Sequence, residues 1–251
     1  MFNIFDKTLN YNKIVKICKN NNEDFNPSYV SIINNPTYII RRKLYDINKK
    51  YINKIKGNVL DIGCGSKPYE ELFVNATNYV GLDTKYSGHV HKNESVDVFY
   101  NGKVFPFENN SFDNAVCFQV LEHVDDIDLF IKEIKRVVAK NGYILFSMPF
   151  IWEEHELPFD FRRYTYYGIK NLLNKHNLSL INYEKYCDGM EMIPQFINIY
   201  LRKFNKNQFL YILVKLFGIM PMNILAIIFS SFKIKFDTLY IGHVFTVKNN
   251  K

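Results

Sequence analysis

Val59-Leu60-Asp61-Ile62-Gly63-Cys64-Gly65 is the stretch on which the fold turns. A run of strand length ends in two glycines one residue apart, and a carboxylate stands two residues ahead of the first of them. Glycines at that spacing let backbone approach a ligand without interference from a Cβ. In open α/β sheets such a crevice, at the carboxyl end of a strand, is where cofactors bind. A dinucleotide fingerprint favours a third glycine at position 68, but Pro68 occupies it. The Asp61 carboxylate suits an ammonium or sulfonium ligand better than a pyrophosphate.

Outward from this turn the chain alternates between strand and helix. Tyr79 to Asp83 reads as a second strand, a short third ends near Tyr100, and Ala115 to Phe118 makes a fourth. From about Asp126 to Ala139, residues Ile127, Phe130, Ile131, Ile134, Val137 and Val138 share one helical face, and Asn141-Gly142 closes that helix. Tyr143 to Met148 is a fifth strand, about 166–176 a helix, Leu178 to Tyr186 a strand and Leu239 to Val247 the last one. Upstream, Tyr38 to Lys56 has apolar residues near helical spacing, after a start signal at Asn34-Asn35-Pro36. The alternation predicts an α/β, mostly parallel, doubly wound sheet of seven strands with helices on both faces. Four segments follow: a loosely organised helical segment at 1–56, the core at 57–187, a hydrophobic helical insertion at 188–236, and the final strand within 237–251.

The 251 residues carry a net charge of +7, spread unevenly: 57–187 is net acidic and both flanks are net basic. No long Lys/Arg block and no aromatic–basic interleaving is present, so no nucleic-acid partner is expected. The four cysteines, Cys18, Cys64, Cys117 and Cys187, form no C-x-x-C pair. Neither a zinc site nor a disulfide framework follows, and no metal is expected. The polar N-terminus MFNIFDKTLNYNK is no signal peptide, which with the cysteine usage predicts a cytoplasmic protein.

Several motifs in order resemble class I S-adenosylmethionine-dependent methyltransferases of the type 11-like group. They are the Asp-x-Gly-x-Gly turn, Gly81-Leu82-Asp83, Val104-Phe105-Pro106-Phe107-Glu108-Asn109-Asn110-Ser111-Phe112-Asp113 and Phe118-Gln119-Val120-Leu121-Glu122-His123-Val124. The resemblance covers about residues 55–185 and implies a Rossmann-like methyltransferase fold with S-adenosylmethionine as cofactor. It implies that Asp61, Gly63, Cys64 and Gly65 surround the methionine moiety, with Gln119 against it. Asp83 would accept the ribose hydroxyls, and Asn101 would stand where relatives place an adenine-binding Asp. Lys67 departs from the pattern, standing where many relatives have a third glycine.

The loop after the fifth strand, Trp152-Glu153-Glu154-His155-Glu156-Leu157-Pro158-Phe159-Asp160-Phe161-Arg162-Arg163-Tyr164-Thr165, resembles one in bacterial methyltransferases associated with surface-polysaccharide synthesis. It is the candidate acceptor site. A His near neutrality beside carboxylates suits removal of a hydroxyl proton, which makes His155 the candidate base. Asp160, Arg162 and Arg163 are candidates to orient an anionic acceptor, and Asp160–Arg163 can equally be an ion pair that holds the loop. His123 is either an acceptor-side group or a helix-start residue. The expected reaction is in-line methyl transfer to a sugar hydroxyl or a phosphate-type (phosphate or phosphoramidate) oxygen in capsular or other surface-glycan synthesis. A small metabolite or lipid/quinone precursor is the alternative acceptor. A non-catalytic membrane or glycan-assembly adaptor that kept the fold is the alternative of another class.

Phe209 to Phe232 is apolar but for Lys215, long enough to span a bilayer, and flanked by Arg202, Lys203, Lys206, Lys233 and Lys235. Gly218 and Pro221 are expected to break it into two pieces of about ten residues, forming buried helices over the acceptor site or a homodimer contact. The other reading is a peripheral contact with the inner membrane near a lipid-linked substrate.

Overall fold

The computed structural model describes residues 25–85, 95–204 and 207–251; Cys18 and Lys206 lie outside them. The strands are β1 (Gly57–Ile62), β2 (Ala76–Thr84), β3 (Val98–Tyr100), β4 (Asn114–Phe118), β5 (Tyr143–Pro149), β6 (Leu178–Tyr186) and β7 (Gly242–Asn249). They form one seven-stranded sheet in the order β3-β2-β1-β4-β5-β7-β6. All pairings are parallel except those of β7, which runs antiparallel to β5 and β6. This is the Rossmann-like methyltransferase fold that the sequence predicts. β7 starts and ends a little later than the expected Leu239–Val247.

Both faces of the sheet are covered, which is why its central strands read as continuous apolar runs rather than alternating ones. Leu60, Ile62, Ala115, Cys117, Ile144 and Phe146 point to one face. There they meet Phe130, Ile131 and Ile134 of α2 (Ile127–Val137) and Ile169 and Leu173 of α3 (Tyr166–Lys175). Each of these helices is capped by the residue before it, through Asp126 accepting the Leu129 N–H and Thr165 accepting the Gly168 N–H. The alternate residues Val59, Val116, Leu145 and Val244 point to the other face.

That second face is closed by α1 (Tyr38–Ile52), through Leu44, Tyr45, Tyr51 and Ile52. Residues 38–52 form the expected helix, and residues 38–55 are packed into the core rather than loosely organised. Their apolar face covers a sheet face that would otherwise meet water. The Asn35 side chain fixes the helix entry by accepting both the N–H and the hydroxyl of Thr37.

The insertion departs furthest from expectation. After α4 (Met192–Leu201), the stretch Gln208–Ser231 is one helix of 24 residues, here α5, and it is not broken at Gly218 or Pro221. A π-type turn over Lys215–Ile219, closed by the Met220 N–H on the Lys215 carbonyl, absorbs the proline. The wider turn relieves the clash that a proline ring makes with the preceding turn of an α-helix. Gly218 lets α4 approach closely, since a Cβ there would sit 2.9 Å from Leu201.

Nor is α5 buried. It touches the domain along the stripe Ile219, Asn223 and Ala226, spaced four and three residues apart. Asn223 accepts from Gln195 and Asn198 of α4 and donates to the carbonyls of Ile32 and Asn35. Elsewhere its apolar side chains face outward, Phe209 at 71% and Phe217 at 78% exposure.

His243 on β7 gives this fold an acid sensitivity. Burial holds its imidazole down to a pKa of about 3, with Lys185 adding a smaller push, while Tyr183 shares its one hydrogen bond. Between the ordinary value of 6.5 and about 3, the unfolded chain binds a proton that the native chain refuses. The contribution of His243 to stability therefore falls as pH drops through that window, by roughly 2 kcal/mol between pH 7 and pH 5. Urea unfolding at the two pH values should show the native chain losing about that much more stability on acidification than His243→Gln does; equal pH slopes would refute the assignment.

Candidate functional site

The carboxyl ends of β1, β2, β4 and β5 open into one cavity of about 750 Å³. The turn after β1 forms its floor. Gly63 has φ +70, and a Cβ on it would collide with Val120. Gly65 has φ +48, and a Cβ on it would meet nothing within 4 Å, so this residue leaves free space where backbone faces the cavity. Asp83, at the end of β2, braces the turn: its Oδ2 accepts the Gly65 N–H at 2.8 Å and its Oδ1 the Thr84 N–H at 2.7 Å.

Lys67 explains how the turn closes without a third glycine. It takes the left-handed conformation itself, with φ +51. Its buried ammonium pairs with Asp97, which also accepts the Gly81 N–H and so ties the turn to β2. Cys64 lines the cavity, and its sulfur lies against Gly81. Gln119, also in a left-handed conformation, follows β4 and donates to the Ser147 hydroxyl. Asp61 is buried, and burial raises its carboxyl to about 7 against the hydrogen bond that the Tyr79 hydroxyl donates.

Asn101 does not join this group. It is exposed, does not line the cavity, and its side-chain carbonyl accepts the N–H groups of Lys103 and Val104. A short polar side chain followed by a glycine closes a turn there. That local bond takes the oxygen that the adenine assignment required.

On the β4–β5 side, His123 and His155 meet edge to face, their ring centroids 4.7 Å apart, and both line the cavity. His123 Nδ1 lies 2.8 Å from the Phe159 carbonyl and His155 Nδ1 lies 3.2 Å from that of Glu153. A carbonyl only accepts, so each Nδ1 carries the proton and each Nε2 keeps its lone pair. Burial pushes both imidazoles below the ordinary histidine value. Glu122 sits beside them with no solvent exposure, and burial raises its carboxyl to about 8.

Asp160, Arg162 and Arg163 do not line the cavity. Arg163 grips Asp160 with both terminal nitrogens, and Asp160 accepts the His155 N–H. Arg162 donates to the carbonyls of Val124 and Asp125. The three hold the loop in place, so the ion-pair alternative is the one seen. The arginine that does line the cavity is Arg41 of α1, its guanidinium 4.7 Å over the Phe25 ring. It carries no local motif, because a helix outside the sheet brings it in. Glu122 was readable only as a carboxylate inside an apolar run.

An antiparallel β7 inserted between β5 and β6, at the edge of a parallel sheet with a glycine turn after β1, is the class I methyltransferase arrangement. Residues 37–185, more than half of the chain, match the methyltransferase domain family, and the chain belongs to it. It is 30% identical over 121 residues to an uncharacterized protein of Methanocaldococcus jannaschii, covering 47% of each chain. It is 29% identical over 132 residues to a ubiquinone biosynthesis O-methyltransferase of Pelagibacter ubique, covering 49% of this chain and 53% of that one. The chain thus spans about half the length of these curated relatives. In fold it matches an S-adenosylmethionine-dependent methyltransferase from Mesorhizobium loti, with TM-score 0.51 and 10% identity, covering 86% of this chain and 99% of that one. The chain therefore carries a methyltransferase domain of the kind that uses S-adenosylmethionine.

The residues fit that cofactor. The open face of Gly65 leaves room for it, and the Asp61 carboxyl, protonated half the time near neutrality, is what an ammonium group would ionise fully. The α-amino group stays charged below about pH 7.5, so cofactor affinity should fall as pH drops through the Asp61 value of about 7. Calorimetry from pH 8 to pH 5.5 should show the fall in the native chain and a weak, flat profile in Asp61→Asn. Asp83→Ala should weaken binding by about 1.5–3 kcal/mol. Native-like affinity in both variants would remove these residues from the cofactor site.

Proposed function

We propose that the protein methylates an oxygen atom, a sugar hydroxyl or a phosphate-type oxygen, on an anionic precursor of a capsular or other surface glycan. The observation that carries this reading is the far wall of the cavity. Two imidazoles, with Glu156 beside them, face the same space as Asp61 and Gly65, while Arg41 supplies a cation. Such a wall suits an acceptor with oxygen atoms and a negative charge. The Trp152–Thr165 loop and its resemblance to polysaccharide-associated methyltransferases support the glycan class, and an O-methyltransferase among the relatives supports oxygen.

S-adenosylmethionine, when bound, supplies an electrophilic methyl group on sulfur. Asp61 would hold its ammonium group, Asp83 its ribose hydroxyls, and Gln119 would lie against the methionine part. The chain's own part would be to hold an acceptor oxygen in line with that methyl group, on the side of His155 and Arg41. A hydroxyl proton leaves on the side of His155, whereas an anionic oxygen has none to lose. Arg41 orients the acceptor. Positioning of the two reactants supplies most of the acceleration.

Labelled methyl transfer to a panel of sugar phosphates, nucleotide sugars and quinone precursors tests this. Oxygen-linked label on the glycan precursors is expected, and label confined to the quinone precursors would overturn the glycan class. Arg41→Ala should raise the acceptor KM about tenfold, the loss of one charge-assisted contact of about 1.5 kcal/mol, with cofactor affinity unchanged.

The methyltransferase fold is compatible with the cytoplasm, and we propose that within it the protein works at the surface of an anionic membrane. Beside the exposed face of α5, Ile193 and Tyr200 of α4 and Phe232, Ile234 and Phe236 after α5 are exposed as well. No acidic residue occurs between 192 and 236, whereas Arg202, Lys203, Lys206, Lys215, Lys233 and Lys235 all do. The Asn223 contacts keep one side of α5 against the domain, so lipid cannot surround it and the helix would lie in the interface. Liposomes with anionic headgroups should sediment the protein at low salt and release it as salt screens the lysines. Phe209→Ser with Phe217→Ser should abolish sedimentation while cofactor binding persists. A native chain that stays in the supernatant would refute the membrane contact.

A further inference from the structure

We propose that Glu122, His123 and His155 form a binding site for a divalent first-row transition cation. One ligating atom from each of the three lies within 4.8 Å of the other two. Glu122 Oε1 is 3.9 Å from His123 Nε2, and Glu156 Oε2 is 3.9 Å from the same nitrogen. Metal–nitrogen and metal–oxygen bonds of about 2.1 Å place neighbouring ligand atoms roughly 3–3.5 Å apart, so a small contraction brings the set onto one ion.

Glu122 supplies the independent observation. Both of its carboxylate oxygens are buried and have no hydrogen-bond partner beyond the residue's own peptide nitrogen. A buried carboxylate without partners is costly, and paired ions or metals are the usual compensation. The ring orientations agree. The Phe159 and Glu153 carbonyls hold the two Nδ1 protons, with Asp160 Oδ2 3.3 Å from His155 Nδ1, so each ring presents Nε2. Metal-bound histidines are oriented in this way, by a carbonyl or carboxylate on the far nitrogen. Arg163, by holding Asp160, is then a positioning residue for His155.

Two imidazoles and one carboxylate favour a first-row transition cation over magnesium or calcium. His123, His155 and Glu156 line the cavity, so the remaining coordination positions open toward the methyl-donor side. There the cation would take an acceptor oxygen or water. This last clause rests on the oxygen-acceptor reading above; the cation site itself does not.

The test is metal content. Native protein, Glu122→Gln, His155→Asn and His243→Gln are stripped with chelator, dialysed against Mn²⁺ or Co²⁺, and assayed by elemental mass spectrometry and Co²⁺ absorption. Cofactor binding on the same samples reports folding. Stoichiometric metal is expected in the native chain and in His243→Gln, which leaves the cluster intact. Glu122→Gln and His155→Asn should bind at least tenfold more weakly, a loss of about 1.4 kcal/mol or more, and lose the Co²⁺ spectrum. Only trace metal in a native chain that binds cofactor would overturn the proposal, as would native-like metal content in the cofactor-binding variants. A variant that fails to bind cofactor is replaced by His123→Asn or His123→Gln under the same criterion. Metal held by this set but no oxygen-methylated product from any acceptor would count against the acceptor reading alone.

Discussion

The parallel pairing of β1 with both β2 and β4 is the constraint on which the rest of the structure depends. It points the carboxyl ends of these strands the same way and, with the strand order turning at β1, leaves a crevice between the loops that follow them. Because helices cover both sheet faces, the polar groups that can meet a ligand collect at that edge. Asp61, at the fifth position of β1, already depends on the Tyr79 hydroxyl to be buried at all. One step further out, Asp83 binds backbone N–H groups of the turn, and the ligand site is held by main chain rather than by mobile side chains.

What the sequence made legible follows from this division. Asp61, Gly63, Gly65 and Asp83 sit at strand ends, where spacing along the chain is spacing in space, and they meet as read. Asn101, Arg162 and Arg163 sit in loops, where a polar side chain can satisfy a nearby backbone group as readily as a ligand. In each case the local bond is the one formed. Arg41 reaches the cavity from α1, some twenty residues before the first motif. No pattern within a window that long could place it. The packing of residues 38–55 was missed for a related reason. Asp46, Lys49 and Lys50 on the solvent side of α1 diluted an apolar face that only the uncovered side of the sheet could reveal.

The break expected at Gly218 and Pro221 shows a different limit. A proline forbids the regular α-turn, not the helix: one i to i−5 turn restores continuity at the cost of local geometry. Once continuous, α5 has a single side to offer the domain, and the Asn223 network uses it. That polar anchor also decides orientation. An asparagine satisfied by four partners in the fold is not free to be inserted into lipid, so the exposed apolar side is separated from the anchored side along the whole helix.

The cavity itself has two halves of different construction. The half proposed for the cofactor is built from β1 and β2, and its turn is held by N–H groups of the main chain on Asp83. The other half, proposed for the acceptor, is assembled from three separate pieces: α1 with Arg41, the turn after β4 with Glu122 and His123, and the loop after β5 with His155. The Phe161 N–H on the Glu122 carbonyl and the Arg162 donations to Val124 and Asp125 bind the last two pieces together. Those loop residues therefore do their work one layer away from the ligand. They fix the distance between His123 and His155, and that distance determines whether the two rings can act on the same atom.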